Sequence, residues 1–296
     1  MTPCPDTLCI GSALWDIIGR AAGTMMPGAD RAGQIDRAPG GVALNIAVAL
    51  ARLGHRPALV SAVGRDAEGE ELIAALTARG VICDHLHRFG GPTDRYVAIE
   101  DQGGLIAAIA DARGLEAAGA SILHPLTHGP LATPSAPWAG PVVIDGNLPA
   151  ALLAAIADAP WLSVADLRLV SASPDKALRL APFLCHPGAT LYLNRAEAGL
   201  LAGRACATAP EAAAGLIAGG ARRVLVTDGA RTAADACACD LITALPPAVA
   251  LARVTGAGDA FMAAHLAAEL RGCPRAQALQ AALAHAARHV SGETAA

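Results

Sequence analysis

Short apolar runs that stop at glycine or a polar residue recur along the chain and alternate with longer stretches of alanine and leucine at helical spacing. Leu8-Cys9-Ile10-Gly11, Pro57 to Gly64, Pro141-Val142-Val143-Ile144-Asp145, Thr190-Leu191-Tyr192-Leu193-Asn194 and Arg223-Val224-Leu225-Val226-Thr227-Asp228 are the main runs. Helical patterns fall between them: one after Gly41 that ends before Gly54, one from Glu68 to Arg79 closed by Gly80, and one beginning just after Gly258. Strands buried on both faces need no polar alternation, and strands that alternate with helices fold as parallel units. The pattern predicts an α/β fold, a doubly wound, mainly parallel sheet, with ligands gathered at the carboxyl ends of its strands. Val81-Ile82 reads as a further strand, and so does Trp161 to Asp166.

Two segments break the alternation. Residues 21–38 are rich in Gly, Ala and Asp and are predicted to leave the main sheet. Thr93 to Asp111 holds two apolar-biased runs joined by Asp101-Gln102-Gly103-Gly104, the pattern of a hairpin.

The chain has 296 residues, enough for one large α/β domain or two small ones. No repeat and no Gly/Ser-rich or charged linker divides it, so residues 1–296 are expected to form a single domain. Hydrophobic content is 54%, but much of it is alanine and only 3% is aromatic. No long apolar run lacks charges or turn signals, and the N-terminus has no basic segment leading into an apolar one, which points to a cytoplasmic protein without a membrane partner. Net charge is −4, the arginines are scattered and Lys176 is the only lysine, so there is no basic stripe for nucleic acid. The eight cysteines are irregularly spaced, and Cys237-Ala238-Cys239 lacks the spacing of structural zinc sites. They are read as reduced thiols, mostly buried.

Candidate chemistry concentrates at Thr255-Gly256-Ala257-Gly258-Asp259, small residues just where a helix begins. First-turn N–H groups lack intrahelical partners and the helix dipole is positive there, so backbone alone can hold a phosphate or a developing anionic charge. Asp259 would repel a bound phosphate. It suits a base that takes a proton from a substrate hydroxyl, or else an ordinary capping Asp. Pro39-Gly40-Gly41 enters a second helix, with Asn45 near its start.

Spread in this order over nearly the whole chain, Gly40-Gly41 with Asn45, and Gly256-Ala257-Gly258-Asp259, resemble the paired signatures of the PfkB, or ribokinase-like, family of small-molecule kinases. The resemblance implies transfer of the ATP γ-phosphoryl group to a primary alcohol of a small polyhydroxylated substrate. Asp259 is then the base, and Gly256, Ala257 and Gly258 form the anion hole. Asp16, Gly41 and Asn45 grip substrate hydroxyls. Thr227, Gly229, Thr255 and Asn194 face the nucleotide. Asn194-Arg195-Ala196-Glu197 fits the family's Asn-x-x-Glu pattern, which organises water around Mg2+; on spacing alone it is a capping box. Residues 12–38 and 92–112 would form a β-lid that closes over the substrate and excludes water, and through which two copies could associate. A monovalent cation such as K+ is compatible with the family.

The Asp145-Gly146-Asn147-Leu148 and Ser173-x-x-Lys176-Ala177 stretches, with the Asp16-Ile17-Ile18-Gly19 opening, resemble the pseudouridine kinase branch. Thr93, Asp111, Asn147 and Lys176 would then surround the uracil, while a purine pocket would want aromatic surface that this chain has little of. Ribose, fructose and 2-keto-3-deoxygluconate are the alternative substrates. A catalytically silent binding protein is a rival of another class, which Asp259 argues against, since binding alone needs no base. The sequence departs from the family at Arg231-Thr232-Ala233, where a second glycine is usual, at Arg253 before the anion hole, and at His265 within the helix that follows.

Overall fold

The computed structural model describes residues 4–250, 252 and 255–293; Arg253 lies outside them. The elements run β1 (Thr7–Ile10), β2 (Leu14–Ala21), β3 (Gly33–Gly40), α1 (Val42–Arg52), β4 (Pro57–Val60), β5 (Ala62–Gly64), α2 (Ala67–Thr77), β6 (His87–Phe89), β7 (Arg95–Asp101), β8 (Gly104–Asp111), α3 (Arg113–Ala118) and α4 (His124–Thr127). The second half gives β9 (Pro141–Asp145), α5 (Ala150–Ala157), β10 (Asp166–Val170), β11 (Ala189–Asn194), α6 (Arg195–Leu201), α7 (Ala209–Ala218), β12 (Arg223–Asp228), β13 (Arg231–Cys237), β14 (Asp240–Ala244), α8 (Ala257–Leu270) and α9 (Arg275–Ser291).

Eight strands form the main sheet in the order β14-β13-β12-β11-β10-β9-β1-β4. The pairs from β12 to β4 are parallel, and β13 and β14 extend the edge antiparallel. Side chains alternate across a strand, so each run feeds two cores. Leu8, Ile10, Val142, Ile144, Leu167, Leu169, Leu191 and Val224 pack with Leu126, Leu153, Phe183 and Leu216 on one face. Cys9, Leu59, Val143, Tyr192 and Leu225 pack on the other against Leu44 and Leu50 of α1, Leu72 of α2, Phe261 and Leu266 of α8, and Leu279 of α9. Layers on both faces make this the mainly parallel α/β architecture that the runs predict.

A second sheet of four strands, β3-β2-β7-β8, leaves this body and contains both segments that broke the alternation. β2 pairs antiparallel with β3 and parallel with β7, and β7 and β8 form the hairpin.

Three local readings are corrected. The strand expected at Trp161 to Asp166 begins at Asp166 and runs to Val170, so it takes in Leu167-Arg168-Leu169. Leu167 and Leu169 enter one core, while Arg168 faces the other way and is neutralised by Asp166 at 2.6 Å and by Glu269. A buried arginine at the middle position hides the apolar alternation from the sequence. Val81-Ile82 contributes only an isolated bridge from Ile82 to Ala58. Of the eight cysteines, all free, only Cys9 and Cys206 are buried.

Candidate active site

β1 and β9 are neighbours in the sheet, and their carboxyl ends deliver Gly11-Ser12 and Asp145 to one point. There α1 begins at Gly41, whose φ of +105° suits glycine and which has no capping side chain. A helix that starts so leaves its first N–H groups unpaired, and here tertiary partners take them. Val42 N–H donates to Ser12 Oγ at 2.9 Å, Ala43 N–H to Asp145 Oδ2 at 2.9 Å, and Leu44 N–H to the Ser12 carbonyl at 3.2 Å. Asp145, fully buried, also accepts from the Ser12 N–H and hydroxyl and from Asn147 N–H. Asp145, a candidate by its position at a strand end, is thus committed to tying β1, α1 and the loop after β9 together. Space is tight: a Cβ at Gly11 would meet the Asp145 carboxylate at 2.4 Å, and one at Gly41 the Ser12 carbonyl oxygen at 2.5 Å.

This junction aims Asn45, one turn into α1, at the start of α8. Asn45 Nδ2 donates to Asp259 Oδ2 at 2.9 Å across 214 residues of chain. α8 starts at Gly256 in the left-handed region (φ +79°) with no side-chain cap, and Ala257 and Gly258 follow in its first turn. Unlike those of α1, the first N–H groups of α8 find no acceptor among the described residues, and a Cβ at Gly258 would meet nothing within 4 Å. The result is an open, positively polarised helix end beside a carboxylate. Burial, together with the nearby charges of Asp145 and Asp16, pushes Asp259 up to about 7, partly opposed by the Asn45 hydrogen bond. A carboxylate poised near neutrality is suited to general-base work.

Asp16 comes from the second sheet. It lies on β2 opposite Ala38 and Tyr96, and a Cβ at Gly40 would meet its carboxylate at 2.2 Å. Burial raises Asp16 to about 6, and its carboxylate accepts no hydrogen bond among the described residues. On the other side, Asn147 Nδ2 donates to Ser12 Oγ at 2.9 Å and Lys176 Nζ donates to Asn147 Oδ1 at 2.6 Å. Burial, with Arg179 nearby, lowers the Lys176 pKa. Asp16, Gly41, Asn45, Asn147, Lys176 and Asp259 thus converge around the β1–β9 junction. Ser12 joins them unforeseen; its only signal was a Gly-Ser step at the end of the first strand.

Thr93 and Asp111 do not join this group. Thr93 is buried, its hydroxyl donating to Asp66 Oδ1 at 2.5 Å and its N–H to Oδ2 at 2.9 Å. The same Asp66 caps α2 through Gly69 N–H, so Gly64-Arg65-Asp66 is a turn and cap that also pins the stem of the second sheet. Asp111 pairs with Arg95, which pairs with Trp15, so alternation places it on the opposite face of that sheet from Asp16. Arg113 holds its carboxylate at 2.7 Å from two nitrogens and lowers it to about 2. Neither contact could be read from strand-end position alone.

The nucleotide-side candidates sit at the next strand ends. Asn194 closes β11 and pairs with Thr227 of β12. The capping box is formed: Asn194 Oδ1 accepts from Glu197 N–H at 2.9 Å and Glu197 Oε2 from Asn194 N–H at 2.8 Å. Burial raises Glu197, opposed by its bonds to Asn194 and by Ser171. Gly229 (φ +59°) turns the chain into β13, and Asp228 beside it is bound by Arg195 at 3.1 Å and Arg231 at 2.8 Å. Arg231, at the departure from the family's second glycine, therefore acts as a clamp on this turn. His265 is a satisfied core residue: its Nδ1 lies 2.8 Å from the Tyr192 hydroxyl, and burial lowers its pKa to about 4. His289 of α9 supports the glycine start of α8, its Nε2 lying 2.9 Å from the Thr255 carbonyl oxygen.

Beside an uncapped glycine helix start with a raised carboxylate at its first turn and an asparagine from another helix upon it, the comparison that decides the family is that the pfkB family carbohydrate kinase profile matches residues 5–296. The chain belongs to the pfkB carbohydrate kinase family. It is 31% identical over 267 residues to a 1-phosphofructokinase of Rhodobacter capsulatus, covering 83% of this chain and 77% of that one. A pseudouridine kinase of Escherichia coli (strain K12) matches at 38% over 104 residues, 34% of this chain and 33% of that one. Among solved structures, a carbohydrate kinase from Agrobacterium tumefaciens superposes with a TM-score of 0.76 at 27% identity, covering 95% of this chain and 89% of the other. As a pfkB kinase, the protein is an ATP-dependent phosphotransferase acting on a hydroxyl group. No helix among the described residues is long and apolar enough to cross a membrane.

Proposed function

We propose that this pfkB kinase phosphorylates the 5′-hydroxyl of a neutral nucleoside, pseudouridine, in the cytoplasm. The observation that carries the reading is the Asn147–Lys176 pair beside Asp16 and Asn45, held in place by the Ser12 hydroxyl, whose amide and ammonium groups keep donors and an acceptor for a base with several of each. The local match to a pseudouridine kinase supports it. The longer match to a 1-phosphofructokinase favours a second reading, a sugar or sugar phosphate. A sugar phosphate needs cations to receive its phosphate. Arg20, Arg37, Arg95 and Arg113 around the second sheet are already paired with Asp36 and Glu100, Glu71, Glu68 and Asp111.

In the reaction, Asp16 and Asn45 hold ribose hydroxyls and Asp259 accepts the proton of the attacking one. The N–H groups of Gly256, Ala257 and Gly258 face the charge on the transferring phosphoryl group. Thr255, Thr227, Gly229 and Asn194 contact the nucleotide. Mg2+ would be held through water by Glu197 and Asn194. The Glu197 carboxylate suits a hard cation, and its Oε1 lies outside the capping box. Such an ion, bound mainly by nucleotide phosphates, neutralises their charge and needs few protein groups. The second sheet closes as a lid over the substrate. Its outer face, away from Asp16, exposes Ile35, Val97, Ile99 and Ile109, and a second copy of the chain covers this apolar surface in a homodimer.

ADP release should be measured side by side on pseudouridine, uridine, adenosine, ribose, fructose, fructose 1-phosphate and 2-keto-3-deoxygluconate. Pseudouridine is expected to give the highest kcat/KM. A sugar or sugar phosphate that outruns it refutes the nucleoside assignment and leaves the kinase intact.

A further inference from the structure

The Cys237-Ala238-Cys239 stretch has no part in phosphoryl transfer. It forms the tip of the β13–β14 hairpin, where Cys237 pairs with Asp240 across the two-residue turn Ala238-Cys239. Cys237 also lies opposite Arg223, the first residue of β12, so the tip stands at the amino end of the sheet, away from Asp259. The two sulfurs are 3.0 Å apart, nearer than unbonded thiols rest, and the Cys239 side of the turn is exposed. Arg275, the first residue of α9, places Nη1 3.1 Å from Cys237 Sγ while its other nitrogens hold the buried Asp235. A guanidinium fixed against sulfur favours the thiolate, the nucleophilic form. The Cys237 pKa is lowered, by its bond to Cys239 first and by Arg275 as well. The same turn borders a cavity of about 500 Å³ that Arg222 and Arg223 also line.

We propose that Cys237 and Cys239 form a thiol–disulfide exchange site, closed by small-molecule disulfides of the glutathione type and reopened by dithiols. The Cys237 thiolate attacks one sulfur of the incoming disulfide, forming a mixed disulfide and expelling one small thiolate. The Cys239 sulfur, losing its proton, then attacks the Cys237 sulfur, forms the Cys237–Cys239 bond and expels the second. The two protons of the cysteine pair end on the two released thiols, and the two electrons go to the small disulfide. The hairpin supplies proximity and Arg275 supplies the thiolate. Closure removes the thiolate acceptor from Arg275, leaving that side chain to Asp235 and Asp240.

The test uses the full-length kinase equilibrated with mixtures of oxidised and reduced glutathione, quenched with acid and analysed by intact mass and peptide mapping. The expected product is about 2 Da lighter, with the link mapped to Cys237 and Cys239, and both Cys237→Ser and Cys239→Ser abolish the loss. The folded chain should close at a glutathione ratio at least about tenfold more reducing than the same chain unfolded in guanidinium, because only the fold holds the sulfurs together beside Arg275. Arg275→Gln should slow closure of the folded chain severalfold at neutral pH. An unchanged mass, a persistent glutathione adduct, a link to another cysteine, or equal folded and unfolded midpoints would each overturn the proposal.

Discussion

Replacing Asp259 by Asn tests the mechanism and the electrostatics together, because the two depend on opposite features of one carboxylate. In the folded protein this group is raised from 3.8 to about 7, by burial first and by the like charges of Asp145 and Asp16. Between these values the folded carboxyl keeps its proton while the unfolded chain has lost it. The folded state binds more protons there, so wild-type stability falls as pH rises through the window, and the loss is complete above about pH 7. A shift of about three units at about 1.4 kcal/mol each sets a ceiling of about 4 kcal/mol. For a half-buried side chain with Asn45 still donating, a gain on the order of 1–3 kcal/mol is the reasonable expectation for the Asn variant. Asn cannot ionise but can still accept from Asn45 Nδ2, so the geometry of the helix start is kept. The melting temperature of Asp259→Asn minus that of wild type should therefore be least near pH 4 and widen to several degrees by pH 8. Over the same range wild-type turnover should climb through about pH 7 as the base ionises, and the variant should be slower by a factor on the order of 10² to 10⁴. Differential scanning fluorimetry across pH and a coupled ADP assay give both readouts. A melting difference that does not change with pH refutes the raised carboxylate, and near-normal turnover in the variant removes Asp259 from the chemistry.

Glu197→Gln keeps an acceptor for the capping box but loses the charge, so the Mg2+ concentration for half-maximal rate should rise severalfold; an unmoved magnesium titration would leave Glu197 with only its capping role. Lys176→Met should raise KM for the nucleoside while KM for ATP stays within about twofold, and equal changes in both would take Lys176 out of the substrate site. Thr93→Val removes a hydrogen bond from the part-buried Asp66 and should lower stability by about 1 kcal/mol, read by urea unfolding; no loss would show that the bond is dispensable. Ile109→Lys, on the exposed face of the second sheet, should convert a dimer to a monomer in analytical ultracentrifugation, and a wild-type chain that sediments as a monomer would remove the dimer from the account.

Local pattern was enough for the strands that alternate into two cores, for the hairpin at Thr93 to Asp111, and for the glycine helix start before Asp259, because each is written in neighbouring residues. The capping box at Asn194 and Glu197 was legible for the same reason: both of its bonds close within four residues. Three-dimensional partners decided the rest. Arg168 reads as a break in an apolar run until Glu269, 101 residues away, neutralises it within the core. Thr93 and Asp111 had the residue types for a substrate site, but Asp66 and the strand register assign them elsewhere. Asp145 looked like a ligand at a strand end and is instead the acceptor that lets α1 begin at a glycine. The raised pKa of Asp259 needs burial that only the closed fold supplies, and the charges of Asp145 and Asp16, both far from it in sequence. Sequence sets which groups are present and what each can do locally; desolvation and long-range hydrogen bonds, which exist only after the chain has closed on itself, determine which of them are spent on the fold and which are left free to react.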